Sequence, residues 1–135
     1  DPKYVPIEIT ESAAVSNSDI KEISNEFCRR GFVLCMDDFG TGYSNFQLIS
    51  SMVPNVVKLD RSFTSKALQN AFEHQLMDHI IQLVHSVDLK ICVEGVETKA
   101  ELDEIEKLSA DCIQGYFYGR PSARREFLKT FIDKE

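Results

Sequence analysis

Apolar residues along this chain gather in short runs, separated by longer segments in which they recur three and four positions apart. Val5-Pro6-Ile7-Glu8-Ile9-Thr10 is short, β-branched and bounded by Glu11-Ser12, which predicts a strand. From about Ser18 to Arg30, Ile20, Ile23 and Phe27 take helical spacing, with Ser18 placed to cap the helix and Gly31 to stop it. Phe32-Val33-Leu34-Cys35-Met36 is a second continuous apolar run. Phe46 to Met52 predicts a short helix halted by Pro54, and Asn55-Val56-Val57-Lys58-Leu59-Asp60 a third strand. From Ser65 to Val87 the spacing predicts one helix with Leu76, Ile80, Leu83, Val84 and Val87 on one stripe. Leu89-Lys90-Ile91-Cys92-Val93-Glu94-Gly95 is the fourth strand. Thr98 opens a helix through Leu102, Ile105 and Leu108, with Glu101 completing a capping box. Asp111-Cys112-Ile113-Gln114-Gly115-Tyr116-Phe117 is the fifth strand, and Ser122 opens a terminal helix through Phe127, Leu128 and Phe131.

Strands alternating with helices imply an α/β fold, a parallel sheet with helices packed outside it. Strand starts near 5, 32, 55, 90 and 111 give repeats of βα size, and no Gly/Ser linker divides them. The chain is one domain, or part of one.

Composition narrows the class. With 135 residues and 43% hydrophobic content, the chain can bury a sizeable core. No apolar run approaches the roughly 20 residues that cross a bilayer. The start, Asp1-Pro2-Lys3-Tyr4, lacks the basic and apolar regions of a signal peptide, and its first residue suggests an excised piece. A net charge of −7 argues against a nucleic-acid polymer as partner and suits a site that collects divalent cations. Cys28, Cys35, Cys92 and Cys112 form no CxxC pair, so a zinc site is not expected. Cys35, Cys92 and Cys112 read as small core residues, and a reducing, cytoplasmic setting fits them.

The candidate chemistry lies at the strand ends. Each predicted strand finishes in polar residues that its interior does not foretell: Glu8, Asp37 with Asp38, Lys58 with Asp60, Glu94 with Glu97, and Gln114. In parallel α/β folds the carboxyl ends of the strands form the functional face. Taken singly, Glu8 and Glu94 are ordinary surface carboxylates, Asp37-Asp38 could open an Asx turn, and Gln114 says little. Lys58 inside Val-Val-Lys-Leu is harder to dismiss, because a buried lysine needs a partner. Adjacent carboxylates such as Asp37 and Asp38 repel unless a cation joins them. Oxygen ligands delivered by several strands suit Mg²⁺ or Mn²⁺. Other motifs fail. Asp38-Phe39-Gly40 echoes the kinase metal triplet without a glycine-rich nucleotide loop, and Gly40-Thr41-Gly42 lacks the Lys of a phosphate loop. His74, His79 and His85 are spaced five and six apart, off any common helical face, and read as surface residues.

On these residues the chain resembles the EAL domain family, bacterial phosphodiesterase domains that open cyclic di-GMP. Ile7-Glu8-Ile9-Thr10-Glu11-Ser12 is similar to the family's glutamate strand, and Asp37-Asp38-Phe39-Gly40-Thr41-Gly42-Tyr43-Ser44 to its central metal motif and loop. Lys58-Leu59-Asp60, Glu94-Gly95-Val96-Glu97-Thr98 and Gln114-Gly115-Tyr116 follow in the family's order. The resemblance covers about Ile7 to Pro121 and implies a modified TIM barrel. It further implies that Glu8 and Asp37 hold a first metal, with Asp37 bridging to a second held by Asp38 and Glu94. Lys58 would orient and help activate the attacking water, and Glu11 would anchor the loop Phe39, Gly40, Thr41, Gly42, Tyr43, Ser44. Asp60, Glu97 and Gln114 would support the metals or contact cyclic di-GMP.

The Glu-Ala-Leu strand and a later Asn strand of the family have no counterpart here. A complete barrel takes roughly 250 residues and eight strands, so residues 1–135 are expected to be the carboxyl-terminal part of such a domain. Two expectations follow. The chain alone has little phosphodiesterase activity, and its open sheet edges pair with a second copy or with the rest of the domain. The rival reading is a cyclic di-GMP receptor or protein-interaction module that does not hydrolyse.

Overall fold

In the computed structural model the structure describes residues 1–10, 16–41 and 46–133. After a 3₁₀ turn at Pro2–Tyr4 come β1 (Ile7–Thr10), α1 (Asn17–Arg29), β2 (Leu34–Phe39), α2 (Phe46–Met52) and β3 (Val56–Leu59). Then follow α3 (Arg61–Ala67), α4 (Ala71–Ser86), β4 (Lys90–Glu94), α5 (Lys99–Glu106), β5 (Cys112–Gln114) and α6 (Arg124–Phe127). A wider π-helical turn over Leu128–Ile132 ends the described chain. The strands form one sheet in the order β1-β2-β3-β4-β5, every pair parallel, so the chain winds in one direction as the wall of a barrel does. This is the α/β arrangement expected: five parallel strands alternating with helices, a portion of a TIM-type barrel.

One face of the sheet packs on the helices. Leu34, Met36 and Phe39 of β2, Val57 and Leu59 of β3, and Ile91 and Val93 of β4 are all buried there. Met77, Ile81 and Val84 of α4 and Leu102 and Ile105 of α5 meet them. Successive strand residues point to opposite sides, so the residues between these face the other, concave side.

Several boundaries differ from the sequence expectation, each for a local reason. α1 is capped by Ser16, whose hydroxyl accepts from Asp19 N at 3.2 Å, and not by Ser18. Gly31 does end it, at φ +83, a left-handed turn that glycine takes without strain. The single helix expected over 65–87 is two. Asn70 interrupts it in extended conformation, and its side chain accepts from Phe72 N at 2.8 Å to start α4 afresh. The restart shifts the buried stripe by one residue, to Met77, Ile81 and Val84, and leaves Leu76, Leu83 and Val87 exposed. The terminal helix begins at Arg124 behind Ala123, which offers no side-chain cap. Among the described residues no helix is long and apolar enough to cross a membrane.

The three cysteines expected in the core divide: two are buried and one is not. Cys35 and Cys92 are buried, but they alternate with the core residues Leu34, Met36, Ile91 and Val93 and line the concave face with Glu8, Lys58 and Cys112. Cys112 is exposed. A run that reads as continuously apolar is therefore two faces, one aliphatic and one of thiols.

Candidate active site

The concave face converges on Lys58. Its side chain is 6% exposed, and Nζ lies 2.7 Å from Glu8 Oε1, 3.1 Å from Asp37 Oδ1 and 2.7 Å from Glu94 Oε1. The carboxylates come from β1, β2 and β4, so three strands deliver a charge to the ammonium carried by β3. Burial works against the charged ammonium, yet its carboxylate partners Glu8, Glu94 and Asp37 outweigh it and hold Lys58 above the usual lysine range. Glu94 is raised as well: its own burial, and then the nearby charges of Asp37 and Glu8, hold its carboxyl above the usual range despite Lys58.

The register explains why two aspartates stand side by side. Met36 pairs with Val57 and Phe39 with Leu59, so Asp37 and Asp38 together oppose the single residue Lys58. That is a β-bulge: one extra residue on β2. It keeps Phe39 on the helix-packed face, 1% exposed, while both carboxylates occupy the register position of Lys58. Asp38 takes φ +60, a conformation that Asp tolerates better than most side chains. Gly40 then turns at φ +98 against the Phe63 ring, and Thr41 donates from N and Oγ1 to the Asp38 carbonyl at 3.3 and 3.0 Å. Glu11 and the loop residues Gly42, Tyr43 and Ser44 lie outside the described residues.

The remaining candidates surround this centre without joining it. Asp38 is not among the carboxylates ion-paired with Lys58. Asp60 caps α3, accepting from Ser62 N at 2.8 Å. Glu97 pairs with Arg61 Nη2 at 2.7 Å, and its backbone N–H donates to Glu101 of the Thr98 capping box at 2.7 Å. Gln114 sits beside Glu94 in register, and its carbonyl accepts from Gly95 N at 2.8 Å. Arg61 was not anticipated from the sequence. Its stem crosses Gly95 so closely that a Cβ there would collide with Arg61 Cγ, which ties the end of β3 to the end of β4. The sequence signal was an Arg directly after one predicted strand and a Gly in the Glu-Gly-Val-Glu run that ends the next.

The histidines need qualification. His85 Nε2 lies 2.8 Å from Asp111 Oδ2, which also accepts from Ile91 N at 2.8 Å, at the opposite ends of the strands from Lys58. His74 is half-buried with Nε2 shielded and without a hydrogen-bond partner, while His79 is exposed.

Whether a divalent cation fits can be judged from the donors. Glu8, Asp37 and Glu94 offer only hard oxygen atoms, as Mg²⁺ and Mn²⁺ prefer. Asp37 Oδ1 is buried and, although close to Lys58, lacks a hydrogen bond. Burial, and then the charges of Asp37 and Glu8, raise Glu94, and a cation among these carboxylates would act against that rise. Among the described residues no group of three or more His, Cys, Asp or Glu is arranged to hold a metal ion. The donor set suits a cation, and Lys58 pairs with it here, one ammonium to three carboxylates.

Comparison with known proteins points the same way. The family model described as the EAL domain matches residues 1–121. The probable cyclic di-GMP phosphodiesterase PdeD of Escherichia coli is 35% identical over 123 residues, spanning 91% of this chain and 23% of its own length. The bifunctional diguanylate cyclase/cyclic di-GMP phosphodiesterase MucR of Pseudomonas aeruginosa is 30% identical, with 96% and 19% covered. Among solved structures, the cAMP-bound EAL enzyme Bd1971 superposes with a TM-score of 0.86 at 31% identity, over 95% of this chain and 35% of that one. The PaMucR phosphodiesterase in complex with c-di-GMP gives 0.82 at 30%, over 94% and 52%. The chain thus spans about a fifth of the curated relatives it matches. By the family model over residues 1–121, and by a sheet that carries Glu8, Asp37, Lys58 and Glu94 on one face, this chain belongs to the EAL domain family.

Proposed function

We propose that residues 1–135 are the carboxyl-terminal part of a domain that hydrolyses cyclic di-GMP to linear pGpG in bacterial second-messenger signalling. The observation that carries this reading is the convergence of Glu8, Asp37 and Glu94, from three strands, on the buried ammonium of Lys58. Glu8, Asp37, Asp38 and Glu94 would hold Mg²⁺ or Mn²⁺. When bound, such cations supply an acidified water and offset charge developing at phosphorus. Lys58 stays protonated, so its role is to donate hydrogen bonds and orient the attacking water, not to accept a proton. Glu94, 2.7 Å from Lys58, is the carboxylate that would act beside it in the reaction. Asp60 and the Arg61–Glu97 pair hold the strand ends in place, and Gln114 offers an amide at the rim where substrate would lie. The loop Phe39–Ser44, with Glu11 as its anchor, would shape that rim.

The same reading assigns partners. Among the described residues β1 and β5 are the edge strands, and their outer sides are where the rest of the domain, or a second copy of this chain, would pair. Four free cysteines suit a reducing, cytoplasmic setting.

The test is turnover of cyclic di-GMP with Mg²⁺ or Mn²⁺ by the whole protein and by this chain alone. The whole protein should release pGpG and stop when the metal is chelated, and the chain alone should do neither at a comparable rate. Tight binding without turnover by the whole protein would replace this reading with a cyclic di-GMP receptor. Robust turnover by the isolated chain would show that the site needs nothing beyond these residues.

A further inference from the structure

We propose that Cys92 and Cys112 form an oxidation site on the concave face, in which Cys112 reacts with a peroxide and Cys92 resolves it into an intramolecular disulfide. The geometry begins with the register. β4 and β5 are parallel neighbours, and Cys92 and Cys112 are direct partners in their pairing, so the two side chains leave the sheet side by side. Neighbouring strands lie about 4.8 Å apart, inside the window of about 4.4–6.8 Å between the Cα atoms of a disulfide. Both residues are free thiols, and the Cys112 thiol reaches over β4 to donate to the Ile91 carbonyl at 3.7 Å, beside Cys92.

Their environments divide the labour. Cys112 is exposed and open to a small oxidant, whereas Cys92 is buried behind it. Closeness to Cys92, and then Lys90 and Lys58, hold the Cys112 thiol below the usual range. The other cysteines do not compete. Cys28 is exposed on α1, away from the concave face. Cys35 is on β2, with β3 between it and Cys92, which puts roughly 9–10 Å between the backbones.

The chemistry balances with hydrogen peroxide as oxidant. The Cys112 thiolate sulfur attacks one peroxide oxygen: an S–O bond forms, the O–O bond breaks, and the leaving hydroxide is protonated to water. Cys92 then gives up its proton and attacks the Cys112 sulfur: the S–S bond forms, the S–O bond breaks, and the second oxygen leaves as water. Two thiols have lost two electrons and the peroxide has gained them. A thiol reductant reverses the step. Glu94 and Gln114 follow the two cysteines by two residues on the same face, so the cross-link fastens β4 to β5 one pleat below the rim.

The experiment treats the purified protein with near-stoichiometric hydrogen peroxide, alkylates the remaining thiols and maps the peptides by mass spectrometry. The expected product is a linked peptide pair containing Cys92 and Cys112, lighter by two hydrogens, monomeric on a non-reducing gel and released by dithiothreitol. In Cys92→Ala, Cys112 should stop at the sulfenic acid and be captured by dimedone. Cys112→Ser, a change at an exposed position, should abolish the link with the circular dichroism spectrum intact. The proposal is overturned if Cys28 and Cys112 are oxidised alike with no 92–112 link. It is equally overturned if the link persists through Cys35 in Cys112→Ser, or if the only disulfides join two molecules.

Discussion

The two faces of one sheet obey different rules. On the helix-packed face, Leu34, Met36, Val57, Leu59, Ile91 and Val93 are almost wholly removed from water and interlock with α4 and α5. On the concave face, the residues between them are Cys35, Asp37, Lys58, Cys92 and Glu94, held by charge and hydrogen bonds. The first face derives its stability from area removed from water. The second confines three carboxylates around one ammonium, an arrangement that contributes little net stability. The fold therefore rests on one face and gathers its charge on the other.

The largest effect should come from cutting the first face. Ile91→Ala removes a fully buried side chain at the centre of the core and should cost about 4 kcal/mol in denaturant unfolding. If the midpoint hardly moves, the helix-packed face is not what holds the sheet. Next is Lys58→Ala, which leaves Glu8, Asp37 and Glu94 without their cation. A loss of about 3 kcal/mol is expected, at the low end for a broken buried pair because Glu8 is partly exposed. The folded protein holds Lys58 above its unfolded value, so its contribution is complete below about pH 10 and fades as pH climbs beyond that. The gap between wild type and Lys58→Ala should accordingly narrow only in strong alkali, and narrowing near neutrality would refute the assignment. The smallest effect tests the α4 stripe. Leu83 is 48% exposed while Val84 beside it is 3% exposed; Leu83→Ala should stay within about 0.5 kcal/mol of wild type, and a core-sized loss would mean the helix is rotated from the position described.

Much of this was legible in the sequence, because strand position and strand chemistry repeat. The short β-branched runs, the Thr98–Glu101 capping box and the Gly31 stop are local signals, and local structure followed them. What failed depended on context. The break at Asn70 was hidden because its neighbours keep helical spacing, and only the cap to Phe72 N reveals it. Of the cysteines expected in the core, Cys35 and Cys92 are buried and Cys112 is not, because alternation puts thiols and aliphatic side chains on opposite faces. At the candidate site, the sequence supplied Glu8, Asp37, Lys58 and Glu94 as strand-end residues, and the structure brings these four together. It could not supply the bulge that sets Asp37 and Asp38 opposite Lys58, since a register shift is a property of two strands. Asp60 and Glu97 carried the same strand-end signal but serve a helix cap and the Arg61 pair. Position in a repeat does not separate a side chain that meets Lys58 from one that braces its neighbours.

The most direct test uses neighbours on one strand. Val93 faces the helices and Glu94 faces Lys58, so Val93→Ala and Glu94→Gln in the whole protein probe the two faces one residue apart. Cyclic di-GMP turnover per folded molecule should fall by roughly 100-fold or more in Glu94→Gln with the fold retained. Val93→Ala should lower the unfolding midpoint and leave turnover per folded molecule near wild type. Unchanged turnover in Glu94→Gln, in a whole protein that hydrolyses the substrate, would contradict the claim that the concave face is where the chemistry happens.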